Sequence, residues 1–226
     1  MRRSFAVVLI GLGALVAGCS SSVSGNGTLA ADASRPAGGA SGSAMPSGSP
    51  TPSPSGGSEG TGRQTLSCTG TKISPSGAPY CFVVPAGFED VSSSVTVDAS
   101  IGREKYRSAV AVDDRDLIIV SVYELRVDTD DIADETLEGE LKTVLAQLAR
   151  QGFTFKSTTA EKSTTDGART FTYHASQASS GLESDVYFLF SGKNELQVNC
   201  QWKAKKAEIT KGCAQVLKSL QFKSVK

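Results

Sequence analysis

Cysteine is the residue type in this chain whose number and spacing first indicate chemistry. Of the five cysteines, four lie well beyond the N-terminus: Cys68, Cys81, Cys200 and Cys213. An even number of cysteines implies disulfides when the N-terminus carries a secretory leader, as residues 1–19 do here, and four cysteines permit three pairings. We predict Cys68–Cys81 and Cys200–Cys213, because each pair has the same short separation and brackets one structural element. In the chain-entropy description, each such loop stabilises the fold by about 3 kcal/mol.

His174 is the single histidine of the chain, and both zinc binding and nucleophilic catalysis would depend on it. The sequence has no C-x-x-C pair, and His174 stands apart from the cysteines, so a typical zinc site is not predicted. A Ser-His-Asp or Cys-His mechanism would need His174 as its base. His174 shares one face of a predicted strand with Thr170 and Thr172. Because these are residue types that are usually exposed, we predict a surface histidine and no catalytic residue.

Acidic residues are densest just before the first predicted helix. The run comprises Asp128, Asp130, Asp131, Asp134 and Glu135. Carboxylates suit Ca²⁺, but the run lacks the glycine and the spaced distal glutamate of an EF-hand loop. Acids are also favoured at a helix N-terminus, where they cap it or interact with its dipole. We therefore predict that Asp131 or Asp134 caps the helix, and that the run binds neither a metal nor a cofactor.

Two segments have apolar residues at helical spacing. The first stripe comprises Leu137, Leu141, Val144, Leu145 and Leu148. The second comprises Ile209, Cys213, Val216, Leu217 and Leu220. Such a stripe is one face of an amphipathic α-helix, and Gly152 after the first stripe is typical of a helix end. Both helices can therefore pack on a sheet.

The other apolar segments are short and favour strands. We predict strands at residues 81–85, 106–112, 117–125, 153–161, 168–175, 186–190 and 196–202. Asp166-Gly167 closes one hairpin, and the turn at residues 192–194 closes another. The strand at 117–125 begins with four apolar residues, which indicates a central strand covered on both faces. The fold class that follows is α+β, an antiparallel β-sheet flanked by two or more helices.

One strand also has a regular polar side. Gln197, Asn199 and Gln201 alternate with apolar residues, so all three lie on the same face. With the threonines of the 168–175 strand they are predicted to form a polar sheet face. The ordinary interpretation is a solvated face, and the alternative is a recognition surface for a glycan or a peptide.

The N-terminus has the parts of a secretory leader. A basic start precedes an apolar run at residues 5–16, which is shorter than the roughly 20 residues that a membrane-spanning helix needs. The motif Val-Ala-Gly-Cys at residues 16–19 then resembles the bacterial lipoprotein box. The resemblance implies a diacylglycerol on the sulfur of Cys19, cleavage after Gly18, and membrane anchoring by acyl chains. The arginine pair at residues 2–3 also partly resembles a twin-arginine signal, so the export route stays open.

Composition divides the chain into three parts. We predict a lipoprotein signal peptide at residues 1–18, a lipid-anchored disordered Ser/Gly/Pro linker at 19–64, and an α+β domain at 65–226. The linker has almost no large apolar side chains, so nothing offsets the entropy lost when its backbone is ordered.

The order of elements resembles the LpqN-type actinobacterial lipoproteins of the PsbP-like fold. The matching features are a short strand ending in Pro-x-Gly-Phe at residues 85–88, a strand pair, a helix with the 137–148 stripe, two hairpins, and a C-terminal helix running into 219–220. The resemblance covers about residues 66–224. It implies an antiparallel sheet with helices around it and a binding or accessory role, and it transfers no catalytic residues.

Charge and these motifs together predict a function class. The 23 basic and 23 acidic residues balance, so no overall attraction to nucleic acid or anionic lipid is predicted. We expect a cell-surface lipoprotein on the outer face of the cytoplasmic membrane, with a non-catalytic binding or accessory domain. Its expected partners are the membrane, through the anchor, and an envelope protein or glycan. The alternative is a cell-envelope hydrolase or transferase that uses carboxylates, which would need two acidic residues converging in one cleft.

Overall fold

The structure, a computed structural model, describes residues 66–95 and 103–223. The predicted leader, the linker and Cys19 lie outside these residues. The helices are α1 (Asp134–Arg150) and α2 (Lys206–Ser219), with a 3₁₀ helix at Ser92–Ser94. The strands are β1 (Lys72–Ile73), β2 (Tyr80–Val83), β3 (Glu89–Asp90), β4 (Glu104–Ala111), β5 (Leu117–Glu124), β6 (Phe153–Phe155), β7 (Glu161–Thr165), β8 (Ala168–Gln177), β9 (Leu182–Ser191), β10 (Asn194–Trp202) and β11 (Gln221–Phe222).

Most strands form one antiparallel sheet with the order β3-β4-β5-β10-β9-β8-β6, and β7 also pairs with β8. A smaller sheet has the order β1-β2-β11. The predicted fold class, an antiparallel sheet with flanking helices, is confirmed. The second sheet was not predicted, because β1 and β11 have two residues each and leave no periodic pattern in the sequence.

The main sheet has two faces of different chemistry. Successive residues of a strand point to opposite faces, and directly paired residues share a face. Val198 pairs with Val120 on one side and Tyr187 on the other, and we call their surface face A. Gln197 pairs with Ser121 and Phe188, and we call theirs face B.

The C-terminal helix α2 covers face A. Ile209, Cys213 and Val216 are buried and belong to one apolar cluster with Val120 and Val198 of the sheet. The apolar stripe predicted for this helix is thus confirmed. No helix in the described part of the chain is long and apolar enough to span a membrane.

The start of α2 is held by a buried carboxylate. Asp116, which is 2% exposed, lies in the turn before β5. Its Oδ1 accepts the backbone N–H groups of Lys203, Ala204 and Lys205, with N···O distances of 3.0, 3.1 and 2.7 Å. These donors precede the helix, so one side chain from another element orders the connection between β10 and α2.

Both predicted disulfides are present. Cys68 and Cys81 have their Cα atoms 6.1 Å apart, and Cys200 and Cys213 have theirs 6.0 Å apart. The second disulfide joins β10 to α2 across face A. It adds a covalent link to the packing that places this helix on the sheet.

The other helix, α1, packs on face B. Its buried residues Leu137, Leu141 and Leu145 form a cluster with aromatic side chains of β8 and β9, including Phe171 and Phe188. The predicted first stripe is therefore confirmed. Gly152, which follows the helix, has φ of 92°, a conformation that favours glycine at a helix end.

The predicted capping of α1 by an aspartate is wrong. Ala133 occupies the N-cap position and makes no side-chain cap hydrogen bond. Asp134 is instead the first helical residue, and its Oδ1 lies 3.1 Å from Nη1 of Arg169. Arg169 also donates hydrogen bonds to the backbone carbonyls of Thr129 and Ile132. An arginine from β8 thus holds the segment that leads into the helix.

The first predicted hairpin has the expected turn but a different first strand. Asp166 and Gly167 have φ of 48° and 81°, and a two-residue loop with both angles positive is a favoured hairpin turn. The strand predicted at 153–161 is divided into β6 and β7, which pair with successive parts of β8. A local turn separates them, in which Ser157 and Thr159 bond to each other.

The Pro-x-Gly-Phe motif before β3 positions an aromatic ring against α2. Gly87 has φ of 86°, which reverses the chain after Pro85. The ring of Phe88 then lies against Gly212 of α2: a Cβ added at Gly212 would stand 2.3 Å from Cζ of Phe88. The motif thus pairs a large residue with a helical glycine that leaves room for it.

This packing predicts opposite effects for two Gly→Ala substitutions. We expect Gly212→Ala to lower the free energy of unfolding by about 1–3 kcal/mol, because the new methyl overpacks the site. The control is Gly139→Ala in α1, where an added Cβ meets nothing within 4 Å; it should raise stability by about 0.5–1 kcal/mol. Urea denaturation of the full chain measures both, and equal effects would contradict the Phe88–Gly212 contact.

Candidate functional site

Helix α1 covers only one part of face B. Its apolar cluster takes sheet residues from β8 and β9, whereas the part of face B on β5 and β10 carries amides and a hydroxyl. We call this part the amide strip. It consists of Gln197 paired with Ser121, Asn199 paired with Ile119, and Gln201 paired with Leu117.

The side chains of the amide strip are half-buried, apart from buried Ser121. Two amides have one local hydrogen bond each: Nε2 of Gln197 donates to Oε1 of Glu195 at 2.5 Å, and Nε2 of Gln201 donates to the Arg115 carbonyl at 3.2 Å. Oδ1 of Asn199 is buried and has no hydrogen-bond partner among the described residues. A buried acceptor left unpaired costs about 1–3 kcal/mol, so turning the half-buried Asn199 side chain outward to meet a donor of a ligand relieves that cost.

The predicted polar face is confirmed for one strand and wrong for the other. Thr170 and Thr172 pair with Leu189 and Tyr187, which places both threonines on face A, and Thr170 is buried at 1% exposure. Alternation in the sequence shows which residues of one strand lie on the same face. It does not show which residues of a second strand lie on that face too. That relation depends on register, which only the structure shows.

One end of the strip meets a buried group of ionisable residues. Tyr123 pairs with Glu195 on one side and Glu104 on the other, so the three lie in one row across face B. Glu104 accepts two hydrogen bonds from Arg107, both of 2.7 Å. Burial raises the pKa of Tyr123, and the nearby carboxyls of Glu104 and Glu195 raise it further.

Glu195 is the most perturbed acid in this row. It is 2% exposed, and burial raises its pKa to about 8, opposed by the hydrogen bond from Gln197. A carboxyl with this pKa is protonated and uncharged at neutral pH. Sequence reasoning missed Glu195, because a lone glutamate beside a hairpin turn is normally exposed.

The two carboxyls do not form an accessible acid–base pair. Glu104 is 6% exposed and Glu195 is 2% exposed, so a substrate cannot approach either oxygen within hydrogen-bond distance in this conformation. Tyr123, between them, is 7% exposed. The arrangement stabilises a buried polar network and does not favour the hydrolase or transferase alternative.

His174 shares a face with Thr170 and Thr172, as predicted, and that face is face A. It is half-buried, however, and its ring nitrogens have acidic partners. Its Nδ1 is 2.8 Å from Oδ1 of Asp185, and its Nε2 is 3.8 Å from Oε2 of Glu183. Its ring centroid is 5.8 Å from that of Trp202.

Among the described residues no serine or cysteine hydrogen-bonds to His174, whose partner is Asp185. Cys200, next to Asp185 on the neighbouring strand, is in a disulfide. Within the ranges that the structure describes, His174 therefore has no hydrogen-bonded hydroxyl or thiol to activate.

Carboxylates of the acidic run before α1 accept hydrogen bonds from nearby backbone N–H groups. Oδ1 of Asp130 accepts the N–H of Gly192 at 2.9 Å, and Oδ1 of Asp128 accepts the N–H of Asp130 at 3.0 Å. Across residues 66–95 and 103–223 no group of three or more His, Cys, Asp or Glu residues has the geometry of a metal site. The run orders the turn that leads into the helix.

No family model matches the sequence, and no curated protein matches it. Solved structures with a similar fold include one from Bacteroides thetaiotaomicron (12% identity, 69% of this chain, 49% of that chain, TM-score 0.45). They also include cyanobacterial PsbP from Synechocystis (12%, 70%, 98%, 0.48) and LpqN of Mycobacterium tuberculosis, described as involved in cell envelope biogenesis (14%, 64%, 83%, 0.38).

The match spans about half of the length of the Bacteroides chain. PsbP and LpqN are the two proteins named in the resemblance that the sequence motifs predicted. At these identities and with TM-scores below 0.5, the likenesses carry no information about activity, ligand or partner.

The buried Glu195 predicts a pH dependence of stability. Its pKa rises from an ordinary value of 4.5 to about 8 on folding, so between these pH values the folded chain retains a proton that the unfolded chain has lost. The contribution of Glu195 to stability is therefore complete below pH 4.5. It falls by about 1.4 kcal/mol per pH unit as the pH rises towards 8, and it changes little above that.

Glu195→Gln keeps a neutral side chain of similar shape and should remove this pH dependence. The variant should become more stable relative to the parent as the pH rises from 5 to 8. The control Glu161→Gln, at an exposed position of β7, should leave the parent's slope unchanged. Urea unfolding at several pH values measures the difference, and parallel curves for parent and Glu195→Gln would refute the assignment.

Proposed function

We propose that this chain is a lipid-anchored, extracytoplasmic binding domain without catalytic activity, held at the outer face of the cytoplasmic membrane. The anchor is supported by the lipoprotein-box motif that ends at Cys19 and by the short apolar run before it. Two acyl chains suffice for stable membrane attachment, whereas one chain holds only marginally. The disulfides of the domain agree with an oxidising compartment.

The observation that supports binding is the amide strip. The sheet residues that pack with α1 come from β6, β8 and β9. An apolar surface on face B of β5 and β10 would therefore have no described helix to cover it. Side chains that can both donate and accept hydrogen bonds stand there instead, and the buried Oδ1 of Asn199 lacks a partner among the described residues. Scaffold strands also hold these side chains more rigidly than a loop would.

The absence of catalysis is supported by the state of the candidate groups. The most perturbed carboxyl, that of Glu195, is buried and is used in a hydrogen bond with Gln197. His174 has acidic partners, and its hydrogen bond goes to Asp185. Within residues 66–95 and 103–223 neither group hydrogen-bonds to a serine or cysteine that could act as a nucleophile, so binding is the function that the geometry supports best.

Substitution of the anchor cysteine tests the localisation. We expect Cys19→Ser to abolish incorporation of labelled palmitate and to shift the protein from the membrane fraction to the medium, because the acylated sulfur is lost. Ser24→Ala is the control in the adjacent segment and should remain labelled and membrane-bound. Palmitate labelling that persists in Cys19→Ser would refute the anchor.

Photo-cross-linking in intact cells tests the binding surface. A photoreactive residue at position 201 lies on face B in the amide strip, and one at position 172 is a half-buried control on face A of the same sheet. We expect adducts at position 201 that are absent at 172. Identical adduct patterns at both positions, or none at either, would refute the strip as a binding surface.

A further inference from the structure

We infer that the amide strip recognises an uncharged, hydroxyl-rich saccharide chain lying along β10. This inference rests on the proposed function, in which the strip is the binding surface, and adds the chemical class of the ligand. It follows from the charge of the strip, from the hydrogen-bonding capacity of its side chains, and from its position in the middle of the sheet.

The strip offers no net charge to a ligand. Arg107 lies beside Ser121 on β4, and its charge is neutralised by Glu104 in an ion pair with an N···O distance of 2.7 Å. Burial raises the pKa of Glu195 to about 8, so that carboxyl is neutral at pH 7. The three amides and the hydroxyl of Ser121 are uncharged. A nucleic acid, a phosphorylated polymer or an acidic polysaccharide would therefore lose its hydration here without gaining a charged partner.

The hydrogen-bonding groups of the strip match hydroxyls. An Asn or Gln side chain carries a donor and an acceptor side by side, and a hydroxyl also both donates and accepts. The acceptor of Asn199 has no partner among the described residues. Gln197 and Gln201 each use their Nε2 in the local bonds described above and keep an amide oxygen that accepts. A ligand dense in hydroxyls can satisfy these groups together.

The position of the strip disfavours a peptide. Peptides that bind to sheets usually add a strand at an open edge and use backbone hydrogen bonds. Here β5 and β10 pair with each other, and their other edges pair with β4 and β9. Recognition must therefore come from side chains above the sheet. Within the strip these side chains include none of the exposed Trp, Tyr or Arg anchors that dominate protein–protein contacts.

Apolar side chains lie between the amides, as a sugar ring requires. Ile119 stands beside Asn199 and Leu117 beside Gln201, and both are half-buried, so their methyl groups can contact the C–H faces of a ring. From Gln197 to Gln201 the strip is about 14 Å long, since a strand rises about 3.4 Å per residue. A short oligosaccharide is therefore long enough to reach all three amides.

The test is a titration of the full chain with maltohexaose, cellohexaose and mannohexaose. Binding is monitored through the NMR signals of the Asn and Gln side-chain amides. We expect saturable shifts at Asn199 and Gln201 with at least one of the three, and little change when salt is raised. Asn199→Leu and Gln201→Met should each weaken that binding 10-fold or more. The control Thr172→Val, on face A, should leave it unchanged.

Three results would overturn the inference: no saturable shift with any of the three saccharides, equal affinity in parent and Asn199→Leu, or preferential binding of heparin hexasaccharide. Two variants are used so that misfolding of one, seen in its thermal unfolding, still leaves a decisive measurement on the other. If the saccharides fail while position 201, and not 172, gives adducts in cells, the saccharide class is wrong and the binding surface stands. If both experiments fail, the proposed function fails with the inference.

Discussion

Two helices must cover the two faces of a wide antiparallel sheet, and the rest of the structure depends on how they divide that surface. Side chains alternate between the faces along every strand. Face A is apolar across β5 and β10, and exposing that area to water would cost about 25 cal/mol per Å². Helix α2 covers it through Ile209, Cys213 and Val216. The disulfide between Cys200 and Cys213 links the middle of the helix to the sheet, and the carboxylate of Asp116 holds the segment that leads into the helix.

Face B is divided because α1 lies over β8 and β9 and does not extend over β5 and β10. Under the helix the residues are aromatic, as in Phe171 and Phe188. Beyond the helix they change to Gln197, Asn199 and Gln201. The change of composition along one face of one sheet shows that the second half is not built to be covered by an apolar helix. That division produces the candidate binding surface.

Buried polar groups at one end of this surface and beside it add no net charge to it. Arg107 donates two hydrogen bonds to Glu104, and Gln197 donates one to Glu195. An isolated buried charge would be far more costly than a neutral acid or an ion pair with good geometry. The start of α1 is also held by a charged side chain. Arg169 of β8 donates hydrogen bonds to the segment before the helix, which has no side-chain cap. Strands and helices are thus linked by side chains that come from other elements.

Local features of the sequence determined much of the fold, because they depend only on neighbouring residues. The stripe from Leu137 to Leu148 predicted α1, Asp166-Gly167 predicted a hairpin turn, and equal cysteine spacing predicted both disulfides. The two-residue strands were missed since they have no period. The division of the 153–161 segment was also missed, because it arises from a local turn between two parts that pair with β8.

The candidate site was only half predictable. Alternation along β10 placed Gln197, Asn199 and Gln201 together, because a strand determines its own two sides. Whether Thr172 joins them, whether Glu195 is buried, and whether His174 meets Asp185 depend on register and on which element covers which part of the sheet. Those relations join residues far apart in sequence, so they exist only once the strands have paired and the helices have packed.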